Sequence, residues 1–180
     1  MSGEGAVAIL GVILLVYAIV MIVSIILGVM NIIALWKLYE KAGEPGWSAI
    51  VPVYNFVQMI KIATGEYKVL WAYLITCGVY FVLGFISGVL GGIMEAMTDS
   101  SVMLALISLV MSLIIFLTGI VMAVIGGYIC YMFPKSYGKS TTFCILSIFF
   151  FPITNMIMGF DKTITYVGPK GVPKNSYSYY

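Results

Sequence analysis

The sequence predicts an all-α membrane protein with three transmembrane helices and two proline-broken re-entrant or interfacial helical elements that form a pseudo-repeat. Three observations predict it. The 180 residues are 62% hydrophobic and 9% charged, against roughly 45–50% and about 25% in soluble domains, so lipid must solvate much of the chain. Three apolar runs each exceed the about 20 helical residues that cross a bilayer. All nine basic residues are lysines, and they sort to one side if only those three runs cross.

The first run, about 6–36, is longer than a perpendicular crossing needs, so it tilts or projects past the bilayer. It lacks the basic n-region of a secretory signal and is too long for an h-region, which predicts a retained helix. Lys37, Glu40 and Lys41 follow, and then the breaker GEPGW. The second run, 67–94, ends in EAMTDSS, where Asp99 or Ser100 is the expected N-cap of the third. The third, 101–133, should stop at Pro134. After the loop PKSYGKS, residues 141–160 are apolar again and cut by Pro152; they are just long enough to make four transmembrane helices the alternative. Residues 1–162 read as one integral membrane domain, and 163–180 as a polar cytoplasmic tail, flexible or loosely attached.

The two broken elements, 46–62 and 141–160, echo each other. Pro52-x-x-Asn55 recurs as Pro152-x-x-Asn155, each followed by an apolar stretch and a charge, Lys61 or Asp161. Read as a helix, 53–62 places Asn55, Gln58 and Lys61 along one side and Val53, Phe56, Val57 and Ile60 on another, which is the pattern of a helix lying in the interface. The preceding 47–51, starting at Trp47, is about one apolar turn that dips inward and returns at Pro52. In the second copy Met158 replaces the glutamine. Irregular backbone at membrane depth needs protein or water partners, and satisfying it is the expected role of Asn55 and Asn155.

Orientation follows from charge. Lys37, Lys41, Lys61, Lys68, Lys135, Lys139, Lys162, Lys170 and Lys174 share one side, and only Glu4, Glu95 and Asp99 occupy the other. The positive-inside rule makes the lysine side cytoplasmic in an inner membrane, with the N-terminus outside and the C-terminus inside. Trp36, Trp47, Trp71, Tyr39, Tyr67, Tyr131 and Tyr137 fall at the same boundary as an aromatic belt.

Small residues four apart let helices approach closely. Gly84, Gly88 and Gly92 make one such stripe, and Gly119, Ala123 and Gly127 another. In an antiparallel hairpin the first lies level with Ala105, Ser108 and Ser112, the second with Ala72 and Thr76. Each is a packing surface within the monomer or between subunits.

Chemistry is sparse. With no histidine and no arginine, catalysis by a histidine base and histidine metal ligation are impossible. Cys77, Cys130 and Cys144 sit in apolar runs and read as small packing residues. The spans hold Asn31, Thr76, Ser108, Ser112 and Thr118 but almost no ionisable group, unlike a proton-coupled pump. Ser48 near Lys41 and Ser136 near Lys139 read as loop polarity. No catalytic residue, cofactor or metal is expected, and the +2 net charge gives no reason to expect nucleic acid.

The stretch KAGEPGWSAIVPVYNFVQMIKIATG resembles the hallmark of a family of small, uncharacterised prokaryotic polytopic membrane proteins. Lys41, Gly43, Gly46, Trp47, Pro52, Tyr54, Asn55, Lys61, Ile62 and Ala63 carry the likeness. The family's second element looks like Tyr137, Gly138, Lys139, Phe143, Pro152, Gly159 and Phe160. Its central region is usually shorter than 67–133 here. Some relatives are fused ahead of signal peptidase domains, an activity this chain gives no reason to carry over. The resemblance implies membrane location and fold, and no mechanism.

The leading expectation is a non-enzymatic integral membrane protein, a self-associating scaffold or assembly component whose partners are the bilayer, further copies of itself or another membrane protein. The alternative is an oligomeric channel or small-solute transporter lined by the Pro-x-x-Asn elements. A weaker third is an enzyme acting on lipid at the interface through Lys61 or Tyr54.

Overall fold

Helix α1 (Gly3–Lys41) opens the computed structural model, which describes residues 3–96 and 102–173. A short 3-10 turn (Gly46–Ala49) leads to α2 (Pro52–Thr64), then come α3 (Tyr67–Ala96), α4 (Val102–Lys135), α5 (Thr141–Phe149) and α6 (Phe151–Phe160). A second 3-10 turn, Pro169–Gly171, follows. There is no strand among the described residues. Among the described residues three helices are long and apolar enough to cross a membrane: Ile9–Lys41, Tyr67–Ile93 and Ala105–Lys135. The protein is therefore an all-α membrane protein. The stretch 141–160, the candidate fourth span, is instead two helices of 9 and 10 residues.

Helix bounds differ from the sequence expectation mainly at the lysine ends. Helix α1 runs on past Trp36 to Lys41, and α4 carries Pro134 inside its last turn and ends at Lys135. A proline in the last turn removes one hydrogen bond near a terminus that is losing partners anyway, so it does not have to stop the helix. The N-cap expected at Asp99 or Ser100, the side chains of Glu4 and Glu95, Lys174 and the closing tyrosines lie outside the described residues.

Packing is concentrated at one end. Helices α3 and α4 form an antiparallel hairpin, and α1 packs against α6. Leu38, Tyr39, Ile60, Ile62, Ile129, Phe133 and Met158 are buried together where the end of α1, α2, the end of α4 and α6 meet. From Ile9 to Met30, by contrast, every side chain of α1 is exposed. That is stable only if lipid, or another helix, covers it.

The segment after α6 is docked rather than loose over its described part, which corrects the expected flexible tail. Ile164 is buried, the Tyr166 ring stands edge-on to Tyr137 at 5.4 Å, and the Tyr166 hydroxyl donates to the Ile62 carbonyl at 3.1 Å. The Val167 N–H donates to the Ser136 carbonyl at 2.9 Å, and Lys170 pairs with Glu66, which holds that carboxyl below its usual range. Composition suggested disorder here because Gly, Pro and Tyr carry no periodic pattern. Four contacts, to Ile62 of α2, to Glu66 just after it and to Ser136 and Tyr137 just after α4, order it nonetheless.

Candidate functional site

The first broken element is folded back on α1. Pro45 is extended, and the Trp36 ring lies over Gly46 so closely that a β-carbon there would stand 2.3 Å from Trp36 Nε1. Only glycine fits beneath that ring. Trp36 Nε1 in turn donates to Glu40 Oε1 at 2.6 Å. Buried Ser48 donates to the Pro45 carbonyl at 2.6 Å, closing the turn locally, as Ser136 does with the Phe133 carbonyl at 2.6 Å. Neither hydroxyl is set against a lysine.

Pro52 then occupies the first turn of α2, where its missing N–H costs nothing. Trp47 stacks on Tyr54 at 5.1 Å with 7° between the ring planes, and the Gln58 amide donates to the Tyr54 hydroxyl at 3.2 Å. Lys61 forms a 2.8 Å salt bridge with Glu44; the hydrogen bond to that carboxylate raises the lysine's pKa. The Tyr39 hydroxyl of α1 donates to Asn55 Oδ1 and lies 3.1 Å from the Asn55 carbonyl. These contacts bring together Trp47, Tyr54 and Gln58 and tie Asn55 to Tyr39, with Lys61 about one turn beyond Gln58.

Two expectations about α2 are corrected. Gln58 is 2% exposed and points into protein, whereas Val53 is 72% exposed. The Asn-Gln-Lys side is therefore not a uniformly wet face. Helix α2 is wedged against α3 and α4, and tertiary contacts outweigh the amphipathic pattern. Nor does Asn55 repair the bend before Pro52, because its side-chain oxygen is taken by Tyr39.

The second element turns back sharply. Phe150, at φ −125° and ψ 41°, separates α5 from α6, and the buried hydroxyls of Ser147 and Thr154 lie 3.0 Å apart. In a straight helix, seven residues would separate them by about 10 Å along the axis, so α6 is folded onto α5. Pro152 sits in the first turn of α6. Thr154 donates back toward the Phe150 and Phe151 carbonyls at 3.3 and 3.0 Å, the repair expected of Asn155. Asn155 itself is fully buried, and neither its Oδ1 nor its Nδ2 has a partner among the described residues.

Both ends of this hairpin lie at the lysine end. Cys144 near its start contacts the Lys139 carbonyl, and at its finish Lys41 Nζ donates to the carbonyls of Met158 at 3.1 Å and Asp161 at 2.6 Å. Lys41 thus caps the last turn of α6 from the last turn of α1. Lys37 lies 4.5 Å over the Phe160 ring. Just above, a β-carbon on Gly159 would meet Ala34 backbone at 2.6 Å, so glycine permits the α1–α6 approach. The Asp161 carboxylate accepts from the Thr163 hydroxyl at 2.6 Å and the Thr163 N–H at 2.9 Å, which lowers its pKa.

The glycine stripes divide. A β-carbon added at Gly119 would stand 3.8 Å from the Tyr80 ring within the α3–α4 hairpin, where Ala123 lines the same groove. At Gly127 an added β-carbon would stand 3.7 Å from Ile148 of α5, so this glycine faces α5 and not α3 as its register suggested. At Gly84, Gly88 and Gly92 an added β-carbon would meet nothing within 4 Å among the described residues.

Between α1, α2, α3, α4 and α6, on the membrane side of the packed core, lies a cavity of about 270 Å³. Asn31, Asn55, Tyr73 and Cys130 bring polar atoms to an otherwise apolar lining that includes Met59 and Phe151. Sequence reasoning noted Asn31 as a polar residue in a span and passed over Tyr73. It also missed Tyr39 as the partner of Asn55, and Lys41 as a cap. The only signal was that Lys41 belongs to the loop motif.

The family model described as "Family of unknown function (DUF5684)" matches residues 47–169, from Trp47 through both Pro-x-x-Asn elements to Pro169. No curated protein and no solved structure matches the chain.

Proposed function

Because the chain belongs to that family of unknown function (DUF5684), we propose a role from its own geometry: a non-enzymatic integral membrane scaffold that self-associates in the bilayer. The observation that carries this reading is the empty face of α3. Gly84, Gly88 and Gly92 form a groove that nothing among the described residues fills, while α1 stands exposed from Ile9 to Met30. Small-residue grooves favour helix–helix over helix–lipid packing because backbones approach closely there. The ordered lysine end, with α2, the α5–α6 hairpin and the docked 164–171 segment, is the rigid head of each subunit. On this reading the head faces the cytoplasm, the N-terminus lies outside, and α5–α6 is re-entrant.

The test is oligomeric state. Native mass spectrometry of the full chain from lipid nanodiscs should show dimers or larger species. Gly88→Ile should release monomers that remain folded, since within one chain the added side chain meets open space among the described residues. A wild-type monomer in both mild detergent and lipid overturns the proposal. A fluorescent protein fused after Tyr180 tests orientation, because it should fluoresce only with a cytoplasmic C-terminus.

The second reading, an oligomeric channel or small-solute transporter, is favoured by the polar atoms of the cavity. Tyr39 and Phe133 are fully buried in the packed core, so on this reading the solute path runs between chains. Solute flux in liposomes, reduced by Asn55→Leu, would select it.

A further inference from the structure

The cavity among α1, α2, α3, α4 and α6 is lined by three side chains that carry hydrogen-bond donors. Asn55 turns its Oδ1 to the Tyr39 hydroxyl, which leaves Nδ2 as the free arm of the amide. Asn31 buries its Oδ1 without a partner among the described residues and leaves its Nδ2 accessible. The Tyr73 hydroxyl, on a ring stacked against Phe56 at 5.2 Å, has no hydrogen-bond partner among the described residues. All three residues line the one cavity, and no charged side chain joins them.

Depth restricts what can enter. Asn31 lies ten residues before Lys41, and Tyr73 and Cys130 each lie five residues from Lys68 and Lys135. At 1.5 Å per residue the cavity sits roughly 8–15 Å beneath the lysines. The polar interface is only about 5–8 Å thick on each side, so the donors lie just inside the hydrocarbon. A charged ligand would be desolvated there with no counter-charge. A purely apolar one would leave three donors unpaired, at a cost of about 1–3 kcal/mol each in the absence of water.

We propose that this cavity binds an uncharged, membrane-dissolved amphiphile through its carbonyl oxygen, with Asn31, Asn55 and Tyr73 as donors and Phe56, Met59 and Phe151 around its apolar body. A glyceride ester and a quinone ring both present that chemistry at this depth. The inference does not depend on self-association.

The test uses the full chain in nanodiscs and a diazirine-labelled diacylglycerol or a diazirine-labelled short-tailed benzoquinone, followed by peptide mapping. Cross-links are expected on the cavity faces of α2 and α4. Excess unlabelled diacylglycerol or benzoquinone should compete, and the better competitor identifies the source. Gly126→Leu grows a side chain into the cavity, where an added β-carbon meets nothing within 4 Å, and should reduce labelling at least roughly tenfold. Tyr73→Phe, which keeps the ring and removes one donor, should weaken it by about 1.4 kcal/mol, or tenfold, with thermal stability unchanged. Labelling that no competitor displaces, or that both variants leave intact, overturns the proposal.

Discussion

The Tyr137 hydroxyl donates to the Leu38 carbonyl at 2.6 Å, tying the loop after α4 to the last turn of α1 across ninety-nine residues of sequence. Tyr137 is 4% exposed and Leu38 fully buried, so the bond is shielded from water. Burial also raises the tyrosine pKa well above its ordinary value and keeps the hydroxyl a donor.

Removing that donor should cost less than a fully orphaned acceptor would. The Leu38 carbonyl also accepts from the Ala42 N–H at 3.1 Å, so it keeps one partner in Tyr137→Phe. The expected loss is about 0.5–1.5 kcal/mol, read as a lower melting temperature in detergent. Trp36, Trp47 and Trp71, all near the lysine ends of the helices, supply the fluorescence signal.

Gly159→Ala should be worse. The new methyl collides with Ala34 backbone as well as its side chain, so Ala34→Gly cannot relieve it. Overpacking of this kind costs about 1–3 kcal/mol. Gly78→Ala, which lies in α3 outside the Gly84–Gly92 stripe and has open space around it, should leave melting unchanged or raise it slightly. Equal melting of the two variants would refute the α1–α6 contact.

Lys41→Met should loosen the α5–α6 hairpin, because two carbonyls at the end of α6 lose a charged donor. Hydrogen bonds to charged groups contribute about 1.5–3 kcal/mol. Amide hydrogen exchange should rise across α5 and α6 and stay constant in the α3–α4 hairpin. Lys41→Arg should restore part of the protection.

Acid should weaken the exit from α6. The Asp161 carboxyl has a folded-state pKa below its ordinary range because Thr163 donates to it twice. Its contribution is therefore present above that range and is lost as pH falls through the folded-state value. The difference in melting temperature between wild type and Asp161→Ala should vanish on acidification, and persistence of the difference at low pH would contradict the assignment.

Much of the fold was legible in the residues alone. The three spans follow from run length and the scarcity of charge. The breaks at Pro45-Gly46, Pro52 and near Pro152 follow from proline's lost donor and the restriction it places on the preceding residue. Those are local properties that no packing partner is needed to express. The side of the chain that gathers the lysines was equally a matter of counting.

Tertiary structure alone decided which face meets protein. In water, apolar residues mark the core, so periodicity identifies the buried side. In lipid, an apolar side chain is at home both in the core and against the acyl chains, and the pattern no longer distinguishes them. Buried Gln58, exposed Val53, the seating of Ile148 on Gly127 and the empty groove at Gly84, Gly88 and Gly92 were therefore open until the helices were placed. So were the pairing of Lys41 with the end of α6 and the cavity of Asn31, Asn55 and Tyr73. Each joins residues distant in sequence, and only close packing at the lysine end brings them within reach.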